Sequence, residues 1–316
     1  MPRQSSKFMP FQRSIRIDAK NPNPKIAFDV YKGHPDKLGD SPNPIIVLHG
    51  FLGCREELRP ISKILATELK RDVYNLDLRN HGESGTKWRH DYLRLALDIR
   101  GLMKENNLKN VSLVGNQMGA KTAMTLALYD PKLVTNIVSI DDSPVWKPLP
   151  PIYLQWLHAY RQILKMRITE LREARRVMYY WNRKAGMRPW LLRNLEKHDD
   201  HPYVRPRIPQ NILWEAREAM GEFPFREDDA NRFSGPALFL RSRDSYYIPE
   251  DEGAEAIRSF FPTSYIEEVD YEGLHLALEK PELVANAAVE FLRNPMVYLA
   301  DRKLEKHGGP RMAWQL

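Results

Sequence analysis

Short apolar runs alternate with helical patterns along most of this chain, and the alternation restricts the folds open to it. Residues 44–48 read PIIVL, a continuous apolar run typical of a strand buried on both faces. Similar runs occur at Ile26–Val30, Val73–Leu78, Val111–Val114 and Ile137–Ile140, with helical periodicity between most of them. Strands that alternate with helices predict an α/β fold with a mostly parallel central sheet and helices on both faces.

The alternation stops between residues 146 and 232, where helical stretches rich in Arg, Trp and Tyr contain no clear strand. It returns at Ala237–Leu240 and ends with a helix that has Pro281 near its start. We therefore predict a core of residues 26–145 and 233–293, a helical cap inserted at 146–232, and a tail of residues 294–316. Residues 1–25 form a separate basic N-terminal segment.

Charge is distributed unevenly along the sequence. The formal net charge is +7, yet the segment from Arg161 to Lys197 holds eleven Lys or Arg against three Glu, a net of +8. This basic cap segment is a candidate surface for an anionic partner, whether RNA, lipid or an acidic protein. The alternative is a solvated helix face with its aromatic residues buried. No apolar run reaches 18 residues, so no transmembrane span is expected.

The strand ending at Val114 runs into the residues GNQMG at 115–119 and then into a helical pattern. A strand, a glycine-flanked turn and a helix form the context of a G-x-S-x-G nucleophile elbow. The residue at the tip is Gln117, and a carboxamide is not a nucleophile that a neighbouring imidazole can activate. Its amide can still form hydrogen bonds with a bound ligand.

Three other strand ends carry residues suited to the same kind of site. A His-Gly turn at His49–Gly53 can direct backbone N–H groups towards an oxyanion. Asp141 follows the strand ending at Ile140 and can orient a catalytic histidine, although it can also be a simple turn residue. His275 lies in the loop after the last strand, where a general base is expected. The predicted oxyanion turn and pocket consist of His49, Gly50, Phe51, Leu52 and Met118.

Together these motifs resemble one branch of the α/β-hydrolase superfamily, which includes the mitochondrial abhydrolase-domain protein eleven, YbfF-type esterases and fungal ethanol acetyltransferases. The resemblance covers roughly residues 26–290. Its motifs are the 49–53 turn, DLRNHGES at 77–84, GNQMGA at 115–120 followed by KTAM, DDSP at 141–144, and a later Gly273 with EKP at 279–281. The DLRNHGES motif is the most specific of them.

The resemblance implies a Ser-Asp-His triad, and two of its three positions are substituted here. The serine position falls on Gln117 and the acid on Asp141. Counting back from residues 279 and 281, the histidine position falls on Leu274, which leaves His275 displaced by one residue as a shifted base. Ser245 matches a supporting serine in a G-x-x-S-x-Y motif of the family, although Ser242 replaces the glycine of that motif. No metal and no cofactor are expected.

Two functions remain open from the sequence. The first is a catalytically impaired hydrolase-fold protein that acts by binding a small acyl-type ligand or a macromolecular partner. The second is an active carboxylic ester or thioester hydrolase, or an acyltransferase, that uses Cys54 or a water molecule activated by His275 or Asp141. The family resemblance and the five basic residues against one acid in positions 1–20 predict a mitochondrial matrix location, with the cytoplasm as the alternative.

Overall fold

A computed structural model of the protein describes residues 23–33, 43–181, 188–197 and 201–306. Nearly all of the basic N-terminal segment and the last ten residues of the tail lie outside these ranges. Within them, the predicted α/β architecture is confirmed. Seven strands form one sheet in the order β1–β3–β2–β4–β5–β8–β9, in which β1 is antiparallel to its neighbour and every other pairing is parallel.

The strands of this sheet lie where the apolar runs predicted them, with shifts of a few residues at the ends. They are β1 (Phe28–Tyr31), β2 (Ile45–Leu48), β3 (Val73–Leu76), β4 (Val111–Asn116), β5 (Val134–Ile140), β8 (Ala237–Ser242) and β9 (Ser264–Val269). The core helices are α1 (Arg59–Leu69), α2 (Tyr92–Glu105), α3 (Met118–Tyr129), α8 (Glu250–Phe260), α9 (Leu276–Glu279) and α10 (Pro281–Arg293). Short 3-10 turns occupy Arg55–Leu58 and Pro131–Leu133.

Both faces of the sheet are covered, which explains the continuous apolar strands. In β2, Ile46 and Leu48 belong to the hydrophobic cluster that contains α2 and α3, whereas Ile45 and Val47 belong to the cluster that contains α1 and α10. All four side chains are fully buried. Alternate residues of a strand face opposite sides of a sheet, so a strand covered on both sides needs apolar residues at every position.

The cap is mainly helical, as predicted, and contains α4 (Pro151–Lys165), α5 (Leu171–Trp181), α6 (Arg188–Leu192) and α7 (Gln210–Glu215). It also contains a small antiparallel ladder between β6 (Leu195–Glu196) and β7 (Arg205–Pro206), where the sequence showed no strand. Two residues per strand are too few to produce a periodic pattern, which is why this ladder escaped prediction.

The tail begins with a helix, α11 (Pro295–Lys306), whose Tyr298 and Leu299 are buried against the cluster that contains α1 and α10. The rest of the predicted tail, residues 307–316, lies outside the described residues. In the ranges that the structure describes, no helix combines the length and the apolar character needed to cross a membrane.

Candidate functional site

The tip of the β4–α3 turn has the backbone geometry that a nucleophile elbow requires. Gln117 adopts φ 47° and ψ −112°, in the left-handed half of backbone space that is unfavourable for a side-chain-bearing residue. The helix after it passes close to β2, because a Cβ placed on Gly119 would lie 2.3 Å from the carbonyl oxygen of Leu48. A Cβ on Gly115 would lie 2.4 Å from the backbone of Gly119. The two glycines are therefore needed for the close packing of this turn.

Gln117 joins three separate segments through its carboxamide. Its Nε2 donates a hydrogen bond to the backbone carbonyl of Leu274, at 2.5 Å, in the loop after β9. Its Oε1 accepts a hydrogen bond from the Tyr153 hydroxyl of helix α4, at 3.0 Å. Gln117 is only 4% exposed. We call this arrangement the Gln117 clasp, because it connects the elbow, the cap and the last core loop.

Tyr153 is the site residue that sequence reasoning missed. It lies in the first turn of α4, is fully buried, and stands beside the Tyr247 hydroxyl. Burial raises the pKa of Tyr153, and hydrogen bonding with Tyr247 only partly opposes that effect. The phenol is therefore a neutral donor towards Gln117. Tyr153 shares the buried face of α4 with Trp156 and Tyr160, and nothing in the sequence indicated its hydrogen-bond partner.

Asp141 occupies the end of β5 with φ 52° and is 1% exposed. Its Oδ1 accepts hydrogen bonds from the backbone N–H of Ser242 at 3.2 Å and from the Ser242 hydroxyl at 2.9 Å. Its Oδ2 accepts no hydrogen bond from any residue that the structure describes. Burial raises the pKa of Asp141, and the hydroxyls of Ser245 and Ser242 oppose that rise. One oxygen of the acid position is thus buried without a donor.

The two serines near Asp141 have different contacts. Ser242, which replaces a glycine of the family motif, makes the direct hydrogen bonds to the carboxylate. Ser245, the predicted supporting serine, accepts a hydrogen bond from the backbone N–H of Ile248 at 2.9 Å and lies close enough to lower the pKa of Asp141.

His275 packs against aromatic rings of the cap. Its ring centroid lies 6.2 Å from that of Tyr153, 5.9 Å from that of Trp156 and 5.5 Å from that of Trp190. The residue is 7% exposed and precedes the first turn of α9. Leu274, at the histidine position of the family pattern, contributes its backbone carbonyl to the clasp. The described ring contacts of His275 are thus with the cap.

The predicted oxyanion turn is held in place by two neutral histidines. His49 Nε2 accepts a hydrogen bond from the backbone N–H of Leu78 at 2.9 Å, and His81 Nε2 accepts one from the N–H of Leu52 at 3.1 Å. Burial lowers the pKa of His49 to about 4 and that of His81 to about 3. Since His81 engages the Leu52 N–H, that group is occupied as a donor in this structure.

The rest of the predicted pocket surrounds the elbow. A Cβ on Gly50 would lie 3.2 Å from Gln117 Oε1, so the turn approaches the clasp closely. Phe51 is buried, and its ring centroid lies 5.7 Å from that of Tyr153. Met118, at the start of α3, is also buried. The turn, the elbow and the cap are therefore in mutual contact.

Cys54 has the environment of an inert thiol. It is buried, and its backbone N–H donates a hydrogen bond to Glu57 Oε1 at 3.1 Å. Burial raises the pKa of the Cys54 thiol to about 12, and the nearby Glu57 and Asp77 add to the effect. A thiol must lose its proton to act as a nucleophile, so these surroundings disfavour attack by Cys54.

Two cavities of the described structure lie away from the elbow. One, of about 270 Å³, lies between the chain at residues 23–28 and helix α2. The other, of about 320 Å³, is an open depression lined by Arg175, Arg176, Tyr179 and Leu192. Neither is lined by Gln117, Asp141 or His275.

Comparison with known proteins places these features in a family. A family model described as the alpha/beta hydrolase fold matches residues 43–281. The chain is 30% identical over 275 residues to an abhydrolase domain-containing protein of Schizosaccharomyces pombe, covering 85% of this chain and 98% of that one. It is 28% identical over 303 residues to ethanol acetyltransferase 1 of Eremothecium cymbalariae, covering 88% of this chain and 83% of that protein. The solved structure of a marine microorganism esterase superposes with a TM-score of 0.75 at 25% identity, covering 85% of this chain and 99% of the esterase.

Proposed function

Because this chain belongs to the α/β-hydrolase family, whose reaction depends on a nucleophile at the elbow, we propose that it is catalytically impaired and acts by binding. Its ligand is a small acyl-type molecule or a macromolecular partner. The observation that carries this proposal is the Gln117 clasp. The residue at the nucleophile position has both polar atoms of its side chain committed to Tyr153 and Leu274.

A carboxamide cannot replace the missing hydroxyl chemically. Its nitrogen lone pair is delocalised into the carbonyl, so no neighbouring base can turn it into a nucleophile. In subtilisin, loss of the nucleophile alone lowers kcat by about 10⁶, which is nearly the effect of losing the whole triad. By the same logic, triad hydrolysis in this chain falls to near background.

The other two triad positions support the same conclusion. The buried Oδ2 of Asp141 accepts no hydrogen bond from the described residues, whereas an orienting acid binds the imidazole of its histidine. The ring of His275 packs against Tyr153, Trp156 and Trp190. Among the described residues, the free oxygen of the acid position therefore receives no hydrogen bond from an imidazole.

The competing function is an active ester or thioester hydrolase or an acyltransferase with another nucleophile. The names of the relatives favour it, since one is an ethanol acetyltransferase and one an esterase. The raised pKa of Cys54 argues against the thiol. Water activated by Asp141 or His275 then remains as the nucleophile of this alternative.

The location of the protein is part of the proposal. We place it in the mitochondrial matrix on the basis of the basic, acid-poor residues 1–20. A fluorescent protein fused after residue 25 should enter mitochondria, and the same fusion with the five basic residues of positions 1–20 changed to Gln should remain in the cytoplasm. Cytoplasmic fluorescence of the unmodified fusion would contradict this part.

The chemical part is tested with purified full-length protein on a panel of acyl esters and acyl thioesters, with and without ethanol as acceptor. We expect the rate to equal that of heat-inactivated protein. The Gln117→Ala and Cys54→Ala variants serve as matched controls. Turnover that Gln117→Ala abolishes would overturn the proposal. Turnover that survives Gln117→Ala but is lost in Asp141→Asn, His275→Ala or Cys54→Ala would establish the competing function.

A further inference from the structure

The outward side of helix α5 carries an arc of basic and aromatic residues. With 100° between successive residues of a helix, five exposed side chains follow one another around one side of α5. The buried residues Ala174 and Met178 lie on the opposite side. The five residues, which we call the α5 face, are Arg175, Tyr179, Arg172, Arg176 and Tyr180.

The arginines of the α5 face are not neutralised by acids in the described structure. None of the three forms an ion pair there, and the acid nearest in the helix, Glu173, lies at the margin of the arc. Two basic residues elsewhere in the cap do have partners. Lys197 pairs with Glu170 at 3.3 Å, and the guanidinium of Arg161 lies over the ring of Trp214. Three positive charges of the basic cap segment are therefore available on this side of α5 in the described structure.

Apolar side chains are exposed on and beside the same face. Tyr180 is 77% exposed and Tyr179 55%. Leu171, one helical turn before Arg175, is 40% exposed, and Met166, at the C-terminal end of α4 where the connection to α5 begins, is 62% exposed. A group of exposed apolar side chains marks a candidate interaction surface, and the neighbouring cations indicate that its partner is anionic.

We propose that the α5 face, together with Met166 and Leu171, docks on an anionic lipid surface. Arginines are attracted to the phosphates of anionic headgroups, and tyrosines favour the boundary between headgroups and acyl chains. Met166 and Leu171 are suited to the acyl side of that boundary. RNA would also attract arginine and stack on tyrosine, but it offers nothing to exposed Met and Leu side chains. The inference rests on the binding role proposed above and names its partner as a membrane surface.

The test is co-sedimentation of the full-length protein with vesicles of phosphatidylcholine and phosphatidylglycerol, compared with phosphatidylcholine alone. We expect binding only to the anionic vesicles, and less of it as salt rises. Changing Arg172, Arg175 and Arg176 together to Gln should weaken partitioning on the order of 100-fold, because each basic residue at such a surface contributes roughly a fivefold gain.

A matched variant separates this face from overall charge. Lys63, Lys104 and Lys109 are exposed on the core, and their joint change to Gln removes the same net charge. We expect that variant to bind nearly as the unmodified protein does. A further variant, Met166→Ser with Tyr180→Ser, should weaken binding to anionic vesicles with all three arginines still present.

Three results would overturn the inference. They are equal binding to neutral and anionic vesicles, equal loss in the arginine and lysine variants, and binding to poly-uridine RNA without binding to vesicles. Urea unfolding of each variant verifies that the fold is retained. Since ester turnover is measured without vesicles, failure of this inference is distinguishable from failure of the proposed loss of catalysis.

Discussion

We predict that replacing Gln117 by alanine lowers the free energy of unfolding, because the Gln117 clasp is lost. Gln117→Ala removes the donor to the Leu274 carbonyl and the acceptor of the Tyr153 hydroxyl. An unsatisfied buried polar group costs about 1–3 kcal/mol, and two groups lose their partner here. The Tyr247 hydroxyl beside Tyr153 recovers part of that loss. We therefore expect the free energy of unfolding to fall by about 2–4 kcal/mol.

The measurement is urea unfolding followed by tryptophan fluorescence. Gln155→Ala is a matched control, because Gln155 is exposed on α4, the helix that carries Tyr153. That control should change stability by less than about 0.5 kcal/mol. A double-mutant cycle with Tyr153→Phe should give a coupling energy of about 1 kcal/mol between positions 117 and 153.

A Gln117→Ala variant that is at least as stable as the unmodified protein would refute the stabilising role of the Gln117 clasp. A coupling energy of zero would show that the Tyr153 hydroxyl does not bind Gln117 in solution. Either result would also remove the main support for the proposed loss of catalysis, because the side chain would then be free to leave the elbow.

Three further predictions concern the framework around the site, each checked by urea unfolding. Burial lowers the pKa of His81 to about 3, so its neutral form adds stability that is present above pH 6.5 and lost as pH falls towards 3. The difference in unfolding free energy between the unmodified protein and His81→Gln should therefore shrink by about 1.4 kcal/mol per pH unit in that window. A difference that stays constant with pH would contradict this. Arg79 donates two hydrogen bonds to the buried Asp98 carboxylate, from Nε at 2.5 Å and from Nη2 at 2.6 Å. Arg79→Met leaves that carboxylate buried without its partner and should lower the free energy of unfolding by about 3–5 kcal/mol. Adding Asp98→Leu should restore most of the lost stability. Gly119→Ala places a Cβ 2.3 Å from the Leu48 carbonyl oxygen and should lower the free energy of unfolding by about 3 kcal/mol or more. An unchanged urea midpoint of unfolding would refute the close packing of the elbow.

The fold was predictable because its signals are local. A strand covered on both faces has a continuous apolar run, as at residues 45–48, and helices α3 and α10 begin where the glycine-flanked turn and Pro281 predicted them. The elbow was predictable for the same reason, since its glycines lie within a few residues of Gln117. The β6–β7 ladder was missed because two residues per strand produce no pattern.

The contacts inside the candidate site were less predictable, because they join residues far apart in sequence. Tyr153 reaches Gln117 across 36 positions and the Leu274 carbonyl does so across 157, and neither pairing leaves a mark in the local pattern. Ser242 looked like a loss from the family motif, yet it makes the direct hydrogen bonds to Asp141. A motif indicates which backbone positions meet, whereas the partner of a buried polar group depends on the packed arrangement of cap and core.

We propose that this chain keeps the scaffold of a hydrolase and has lost its catalytic triad. The most direct test is the hydrolysis of p-nitrophenyl acetate by the unmodified protein, by Gln117→Ser, by Leu274→His and by the double variant, each compared with Gln117→Ala. We predict turnover above background only in the double variant, because Gln117→Ser supplies the nucleophile and Leu274→His supplies a base on the same loop as His275. Hydrolysis by the unmodified protein at the rate of the double variant would contradict the proposed loss of the triad.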